Sequence, residues 1–190
     1  GVASPMKNLT DLLRTIYRNT EYYTGFSIYE PHALYPSTLL RQRVLDVIEK
    51  DTRLRANFIK RDKYRAGATS AQSREETTRE FYNNLLESDY GVCLRGGGNF
   101  SVRLYETLAM GRIPVFVNTD CILPYDKVID WKQYVVWIED KEIEKIPDKI
   151  MEFHSSLTNS QFIEMQIKCR KLWEEYLSMN GFMKHLPELI

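Results

Sequence analysis

The stretch that decides the fold is residues 90–118, YGVCLRGGGNFSVRLYETLAMGRIPVFVN. It starts with an apolar run, 90–94, which ends at Arg95 and three consecutive glycines. A helix-like segment then ends at Gly111, and a second apolar run follows at 113–117. Neither run alternates with polar residues, as is typical of strands that are buried on both faces. The stretch therefore predicts two central parallel strands connected by a glycine-rich turn and a helix.

Outside this stretch, strand-like and helix-like segments alternate along the chain. Strands are predicted at 25–29, 54–59 and 134–138. Helices are predicted from Pro5 onwards and at 37–50, 73–87, 142–154 and 159–178. This alternation predicts an α/β fold, with a parallel sheet of about five or six strands and helices on both faces.

Two sequence signals mark where predicted helices begin and which way they face. Ser4-Pro5 resembles an N-cap followed by proline at the first helical position, and an apolar stripe follows from Leu9 to Tyr17. Ser73 with Glu76 three residues later has the pattern of a capping box. Both signals support helices in these segments.

Composition limits the class of protein. The 190 residues suffice for one domain, and 26 basic side chains balance 26 acidic ones, so the net charge is zero. A nucleic-acid binder would show a basic excess, so no nucleic-acid partner is expected. Cys93, Cys121 and Cys169 form no CxxC pair, and we expect them to be reduced thiols in a cytoplasmic protein.

Charge is unevenly distributed along the chain. Residues 41–65 contain nine Lys or Arg and four Asp or Glu, whereas residues 139–152 contain six acidic and three basic side chains. These segments are either two solvated faces or, for 41–65, a wall that attracts an anionic donor or acceptor. The sequence leaves both interpretations open.

The glycine-rich turn has the features of a phosphate-binding site. Ligands of parallel sheets bind beyond the carboxyl ends of the strands, which is where Arg95 and the glycines lie. Glycines let backbone N–H groups approach an anion, and the dipole of the next helix favours negative charge there. Asn99 or Ser101 can cap that helix. The predicted donor-binding residues are Arg95, Gly96, Gly97, Gly98, Asn99, Ser101, Arg103 and Glu106.

Two side chains on the helix suit the two ends of a nucleotide. Arg103 lies in the first turn and presents a planar fork of donors to a diphosphate. Glu106 is five residues beyond Ser101, about 7.5 Å along the helix axis, and could accept hydrogen bonds from both ribose hydroxyls. Alternatively, Arg103 and Glu106 are a surface ion pair and the glycines are only a loop.

Several nucleotide-binding classes do not fit this stretch. GGGNFS is not the G-x-G-x-x-G fingerprint, which disfavours a nicotinamide enzyme, and GxxxxGK[ST] is absent, which excludes a P-loop NTPase. The sequence contains no Asp-x-Asp pair to hold a metal-clamped diphosphate. We therefore expect no metal, with arginine and a helix N-terminus carrying the charge of the leaving group.

Residues 88–131, SDYGVCLRGGGNFSVRLYETLAMGRIPVFVNTDCILPYDKVIDW, resemble the exostosin-like glycosyltransferases. The most specific parts are Ser101, Arg103 and Glu106 in an SxR…E helix, together with GRIPVFV at 111–117, Leu123-Pro124 and Asp130-Trp131. The similarity covers about residues 54–155, and its style is closer to bacterial members than to the animal polymerases.

The resemblance implies a metal-independent, hexosyltransferase-type enzyme of GT-B architecture, active in polysaccharide biosynthesis. Such enzymes have two Rossmann-like, doubly wound halves, with the nucleotide-sugar donor in the C-terminal half. Residues 1–190 would be one donor-binding domain, with 156–190 as a C-terminal helical extension and the acceptor-binding half absent or much reduced. The reaction would transfer a sugar to a glycan hydroxyl and release a nucleoside diphosphate, with no cofactor besides the donor substrate.

The sequence assigns no catalytic residue. Asp120, Asp126 and Asp130 are the nearest carboxylates, but turn and cap roles are favoured for all three. The alternative function is a noncatalytic module that resembles a nucleotide-sugar-binding domain and works with another chain. A second copy or an acceptor domain is expected to cover the exposed helix 159–178. We expect the protein to be cytoplasmic or membrane-associated.

The resemblance also predicts how the isolated chain behaves. Without an acceptor half, it should bind a nucleoside diphosphate weakly and show negligible transfer, because half a cleft stays wet. Titration with the nucleotide and a transfer assay check this, and robust transfer by the 190 residues alone would contradict it.

Overall fold

The computed structural model describes residues 5–28, 31, 37–61, 67–96 and 98–186. The helices are α1 (Pro5–Tyr23), α2 (Ser37–Lys50), α3 (Ala71–Leu86), α4 (Val102–Ala109), α5 (Ile146–Ser155), α6 (Asn159–Leu172) and α7 (Met179–His185). The strands are β1 (Tyr90–Cys93), β2 (Ile113–Asn118) and β3 (Val136–Glu139). Short 3-10 segments at Trp131–Gln133 and Asp140–Lys145 and a π-helical segment at Trp173–Leu177 complete the order.

The three strands form one parallel sheet in the order β1-β2-β3. All but the last residue of β2 are buried, which confirms its prediction as a central strand. β1 pairs only with β2 among the described residues, so it is an edge strand there. The predicted alternation of helices with parallel strands is therefore correct, but within the described residues the sheet has three strands and not the five or six expected.

Two predicted strands are wrong. Residues 25–28 form the turn after α1, where Gly25 has a φ of 80° and the N–H groups of Phe26 and Ser27 donate to the carbonyl of Glu21. Residues 54–59 form no ladder either, and Asn84 of α3 donates to the Asn57 carbonyl at 2.8 Å. In both segments, bonds to a neighbouring helix take the place of a sheet. Tyr29 lies outside the described residues.

Helix α4 packs very closely on β1 at one glycine. A Cβ at Gly91 would lie 2.4 Å from Oγ1 of Thr107, which is fully buried. The Cys93 thiol lies 3.6 Å from the same hydroxyl. The missing side chain at Gly91 thus lets the helix approach the strand, and this approach fixes the position of α4.

The opposite side of β1 contacts other helices. Tyr90 alternates with Gly91 along the strand, and its ring lies 6.4 Å from Phe153 of α5 and 5.8 Å from Phe162 of α6. Its hydroxyl is 3.0 Å from Nδ1 of His154, so this histidine has a structural contact. Side chains of β1 thus contact α4 on one face and α5 and α6 on the other.

Helix ends differ from the predictions in detail. Ser70, not Ser73, is the N-cap of α3, and its side chain accepts from the Ser73 N–H. The predicted helix 142–154 is a 3-10 segment followed by α5, because Pro147 is tolerated only in a first helical turn. The predicted helix 159–178 passes into a π-helical segment after Leu172, and Ser178 then caps α7.

The apolar stripe of α1 is largely solvent-exposed. The helix forms as predicted, but Leu9 and Leu13 are each 58% exposed and Tyr17 is 65% exposed. The predicted inward stripes of α2 and α6 do contribute to the core, through Leu40, Val44 and Ile48 and through Cys169 and Leu172. The helical spacing of apolar residues thus predicted each helix correctly. The apolar stripe is buried in α2 and α6, where it packs in the core, but not in α1.

The basic and acidic segments contact each other. Arg43 of α2 forms an ion pair with Glu144 at 2.9 Å, and Arg53 forms one with Asp148 at 2.7 Å. Both pairs are largely solvent-exposed, so each contributes little to stability. The two segments therefore neutralise each other in part, which neither interpretation of the sequence anticipated.

Substituting Gly91 by alanine tests the close contact between β1 and α4. We expect a loss of about 1–3 kcal/mol in the free energy of unfolding, because the new methyl group overlaps Thr107. Urea denaturation measures the loss. Combined with Thr107→Ala, the same change should cost less than the sum of the single changes. Strict additivity would show that the contact does not set the spacing.

Candidate anion-binding site

Arg95 stands at the carboxyl end of β1, where the chain leaves the sheet. It follows the buried Leu94 and is itself only 8% exposed. Burial lowers the pKa of its guanidinium from the ordinary value, because the charged form loses hydration. The strand thus places a largely buried positive charge at its carboxyl end, which is where the sequence located Arg95.

The glycine-rich loop closes on itself directly after Arg95. The Gly96 N–H donates to the Phe100 carbonyl at 3.0 Å, which brings Arg95 and the start of α4 together. A Cβ at Gly96 would meet nothing within 4 Å, whereas one at Gly98 would lie 2.7 Å from the Phe100 ring. Open space beside the Gly96 backbone is room for a ligand to approach. Gly97 lies outside the described residues.

Asn99 fastens this loop to the end of β2. Its Nδ2 donates to the carbonyls of Thr119 at 3.0 Å and Asp120 at 3.3 Å, and the Thr119 hydroxyl donates to its Oδ1 at 2.7 Å. Asp120 has a φ of 56°, which is uncommon for a residue with a side chain. Asn99 is therefore a connector between two loops and not the helix cap that the sequence allowed.

Ser101 is the N-cap residue of α4, but its side chain makes no capping bond. The residue is 4% exposed, and its Oγ has no hydrogen-bond partner among the described residues. A buried hydroxyl without a partner costs stability and calls for an explanation. An anion at the helix N-terminus would accept a hydrogen bond from it.

Arg103 lies in the first turn of α4, with its guanidinium carbon 4.0 Å from the centroid of the Phe81 ring of α3. Its Nε is 3.8 Å from Oε2 of Glu106, which is too long for a hydrogen bond. Burial lowers the pKa of Arg103, and the charge of Glu106 offsets this only in part. The pair is therefore a loose one, which leaves donors of Arg103 available to a ligand.

Glu106 is only partly compensated as well. Burial raises the pKa of its carboxyl above the ordinary value, although the positive charge of Arg103 acts in the opposite direction. The side chain remains 35% exposed. A partly dehydrated carboxylate of this kind accepts hydrogen bonds from a ligand's hydroxyl groups at little further cost in hydration.

Two arginines that were not among the predicted site residues lie near Arg103. Repulsion from Arg41 of α2 and from Arg61 contributes to the lowered pKa of Arg103. Arg61 forms an ion pair with Glu80 of α3. The basic excess of residues 41–65 was the sequence signal that could have pointed to these two arginines. Their charges act on Arg103 at the candidate site.

A separate open pocket of about 540 Å³ lies between the end of β2 and β3. Its lining includes Cys121, Asp126, Asp130, Lys132 and Trp137. Lys132 Nζ lies 5.5 Å from the centroid of the Trp137 ring. None of the donor-binding residues that the structure describes lines this pocket.

The three carboxylates nearest the motif have different surroundings. Asp130 caps the 3-10 segment that follows it, where it accepts from the N–H of Lys132 and from Nε2 of Gln133. Asp126 is exposed in the pocket, and Asp120 is not part of the pocket lining. The cap role favoured for Asp130 is thus confirmed, and the catalytic residue stays unassigned.

Neither a metal-binding cluster nor a membrane-spanning helix is present in the described residues. Within 5–28, 31, 37–61, 67–96 and 98–186, no three metal-ligating side chains are grouped as a metal ion requires. In the same part of the chain, no helix has both the length and the hydropathy needed to span a membrane.

Glu106→Gln tests whether the charged carboxylate of Glu106 lowers the stability of the fold. Because the pKa of Glu106 is raised on folding, its charged form destabilises the fold at pH values above that pKa. The variant should therefore melt above the parent at pH 7. This difference should shrink towards the acid end of the pH series, where Glu106 becomes increasingly protonated in both the folded and the unfolded state. Thermal melts from pH 4 to 8 measure it, and a lower Tm at pH 7 would indicate a structural ion pair.

Comparison with known proteins places these residues in a family. A sequence profile of the Exostosin GT47 domain matches residues 23–153, more than half of the chain and all of the candidate site. The chain is 30% identical over 107 residues to Exostosin-1 of Drosophila melanogaster, covering 54% of this chain and 14% of that protein. It is 34% identical over 92 residues to Exostosin-2 of Homo sapiens, covering 48% and 12%.

A plant protein shows the same similarity. The chain is 30% identical over 66 residues to a probable glucuronosyltransferase of Oryza sativa subsp. japonica, covering 35% of this chain and 16% of the relative. Each of these three alignments spans less than a fifth of the relative's length. The profile match supports the resemblance first noted in residues 88–131, and the chain belongs to the exostosin GT47 family.

Proposed function

We propose that the chain is the donor-binding part of a glycosyltransferase, which binds a nucleotide-activated sugar for transfer to a glycan hydroxyl. The observation that carries this proposal is the pairing of two buried groups at one helix start. Arg95 brings a dehydrated positive charge there, and Ser101 brings a hydroxyl without a partner among the described residues. A diphosphate would accept a hydrogen bond from the Ser101 hydroxyl and would lie beside the positive charge of Arg95, and a helix N-terminus favours such an anion.

Each predicted site residue has a role in this proposal. Arg95, Ser101 and the backbone of 96–98 hold the diphosphate, Arg103 adds charge-assisted hydrogen bonds, and Glu106 accepts from the ribose hydroxyls. Asn99 has an indirect role, because it holds the loop through Thr119. The same donors stabilise the negative charge that develops on the leaving nucleoside diphosphate, so the reaction proceeds without a metal ion or other cofactor.

The proposed architecture is the C-terminal half of a GT-B enzyme, with a Rossmann-like, doubly wound sheet. The parallel order β1-β2-β3 and the helix contacts on both faces of β1 support it. Residues 1–190 would form one donor domain with 156–190 as its helical extension. A second domain or a second copy would hold the glycan acceptor. The bacterial style and the cytoplasmic or membrane-associated location remain predictions.

Arg103→Ala tests the diphosphate role. Losing a charge-assisted hydrogen bond should cost about 1.5–3 kcal/mol, or roughly ten- to a hundredfold in affinity. The loss should be much larger for a nucleoside diphosphate than for the free nucleoside. Calorimetric titration with uridine, guanosine, adenosine and their diphosphates measures both affinities.

Glu106→Ala should behave differently, because it acts on the ribose. It should weaken binding of the nucleoside and of the diphosphate by a similar factor. Circular dichroism should show that both variants keep the parent's fold. If both variants bind like the parent but melt much earlier, Arg103 and Glu106 are only structural. If the parent binds no nucleotide at all, the noncatalytic module becomes the better description.

A further inference from the structure

Phe81 lies on the inward face of α3, next to the candidate site. It precedes the buried Leu85 by four residues, which places both side chains on the same face of the helix. Its ring is half-buried, whereas the neighbouring Tyr82 is 42% exposed. The guanidinium carbon of Arg103 lies 4.0 Å from the centroid of the Phe81 ring. Helix α3 thus presents an aromatic surface to the first turn of α4.

The end of α3 is fastened to the segment that follows α4. Nε of Arg112 donates to the Leu85 carbonyl at 3.3 Å, and its Nη2 donates to the Leu86 carbonyl at 2.7 Å. Arg112 lies between the end of α4 and the start of β2. Both acceptors are carbonyls of the last turn of α3, which have no partner within the helix. These two bonds hold the end of α3, and with it Phe81, beside the helix that carries Arg103.

The contact with Phe81 holds Arg103 without using any of its hydrogen-bond donors. A cation above a ring is attracted by the quadrupole of the ring and needs no hydrogen bond for this. Within the described residues, the guanidinium makes no hydrogen bond to Glu106 either, because the distance from Nε to Oε2 is 3.8 Å. The N–H groups of Arg103 therefore remain available to a ligand, while the ring restricts where the guanidinium can lie.

We propose that Phe81 is a positioning residue, whose ring holds the guanidinium of Arg103 where it binds the diphosphate of a nucleotide-activated sugar. The inference rests on the proposed function, because it adds α3 to the elements that build the same donor site. An arginine side chain has several rotatable bonds, and ordering them at the moment of binding costs affinity. The ring restricts these rotations before the ligand arrives, so less of that cost falls on association.

Phe81→Leu tests this role, since it keeps an apolar side chain that favours a helix but removes the aromatic ring. With inorganic pyrophosphate as the probe, the variant should bind roughly two- to tenfold more weakly than the parent, as expected for the loss of a cation–π contact. Phe81→Tyr keeps the ring and should bind pyrophosphate as the parent does. Calorimetric titration gives these affinities, and the diphosphates of uridine, guanosine and adenosine are titrated alongside.

Tyr82→Leu is the matched control on the same helix. It removes the adjacent aromatic ring, which lies 5.1 Å from the Phe81 ring and has no contact with Arg103 in the described part of the chain. Its affinity for pyrophosphate should equal that of the parent. A second control introduces Phe81→Leu into an Arg103→Met variant. There it should cause no further loss of affinity, because no guanidinium is left for the ring to hold.

Three outcomes would overturn the inference while leaving the proposed function in place. In the first, Phe81→Leu binds pyrophosphate as tightly as the parent does. In the second, Phe81→Leu loses the circular dichroism spectrum of the parent, or Phe81→Tyr binds as weakly as Phe81→Leu. In the third, Phe81→Leu weakens binding by the same factor whether or not Arg103 is present. The last two would make Phe81 a structural residue of α3.

The nucleoside diphosphates separate the inference from the proposed function. If Phe81→Leu weakens pyrophosphate binding but the nucleoside diphosphates bind the parent no better than pyrophosphate does, the positioning role stands and the nucleotide assignment fails. If the parent binds neither pyrophosphate nor a nucleoside diphosphate, both are overturned. Preferential binding of a nucleoside diphosphate by the parent, weakened by Phe81→Leu and kept by Phe81→Tyr, supports the two together.

Discussion

The contact between Gly91 of β1 and Thr107 of α4 is the constraint on which the candidate site depends. Because no side chain separates the strand from the helix, α4 lies directly on the sheet and its first turn meets the carboxyl end of β1. Ser101 and Arg103 are at that first turn, and Glu106 is one turn further along. Raising the helix by one methyl group would move all three side chains away from Arg95.

Burial of the charged side chains at the candidate site lowers the stability of the fold. Arg41, Arg95 and Arg103 all have a pKa lowered by burial, and Glu106 has a pKa raised by it. Elsewhere on the surface, basic side chains of residues 41–65 are paired with carboxylates in exposed ion pairs. Charged side chains with pKa values shifted by burial, gathered beside a glycine loop, are typical of functional sites.

The sequence predicted the strand, turn, helix and strand of residues 90–118 well, because buried parallel strands and glycines have strong local signals. It failed at 25–28 and 54–59, where strand-like apolar residues lie in a turn and in an irregular segment that is hydrogen-bonded to a helix. Local composition cannot tell whether a strand partner is present. The two arginines that act on the charge of Arg103 were missed for a related reason, since Arg41 and Arg61 lie far from it in the sequence.

Asn99 has a consequence for the thermodynamics of binding. Its hydrogen bonds to Thr119 and Asp120 hold the Asn99 part of the loop after β1 at the end of β2 before any ligand arrives. The conformational entropy of ordering that loop is therefore lost during folding and not during association. The positive φ of Asp120 belongs to the same folding cost. For an anion bound as proposed, affinity would then depend mainly on the contacts of the anion itself.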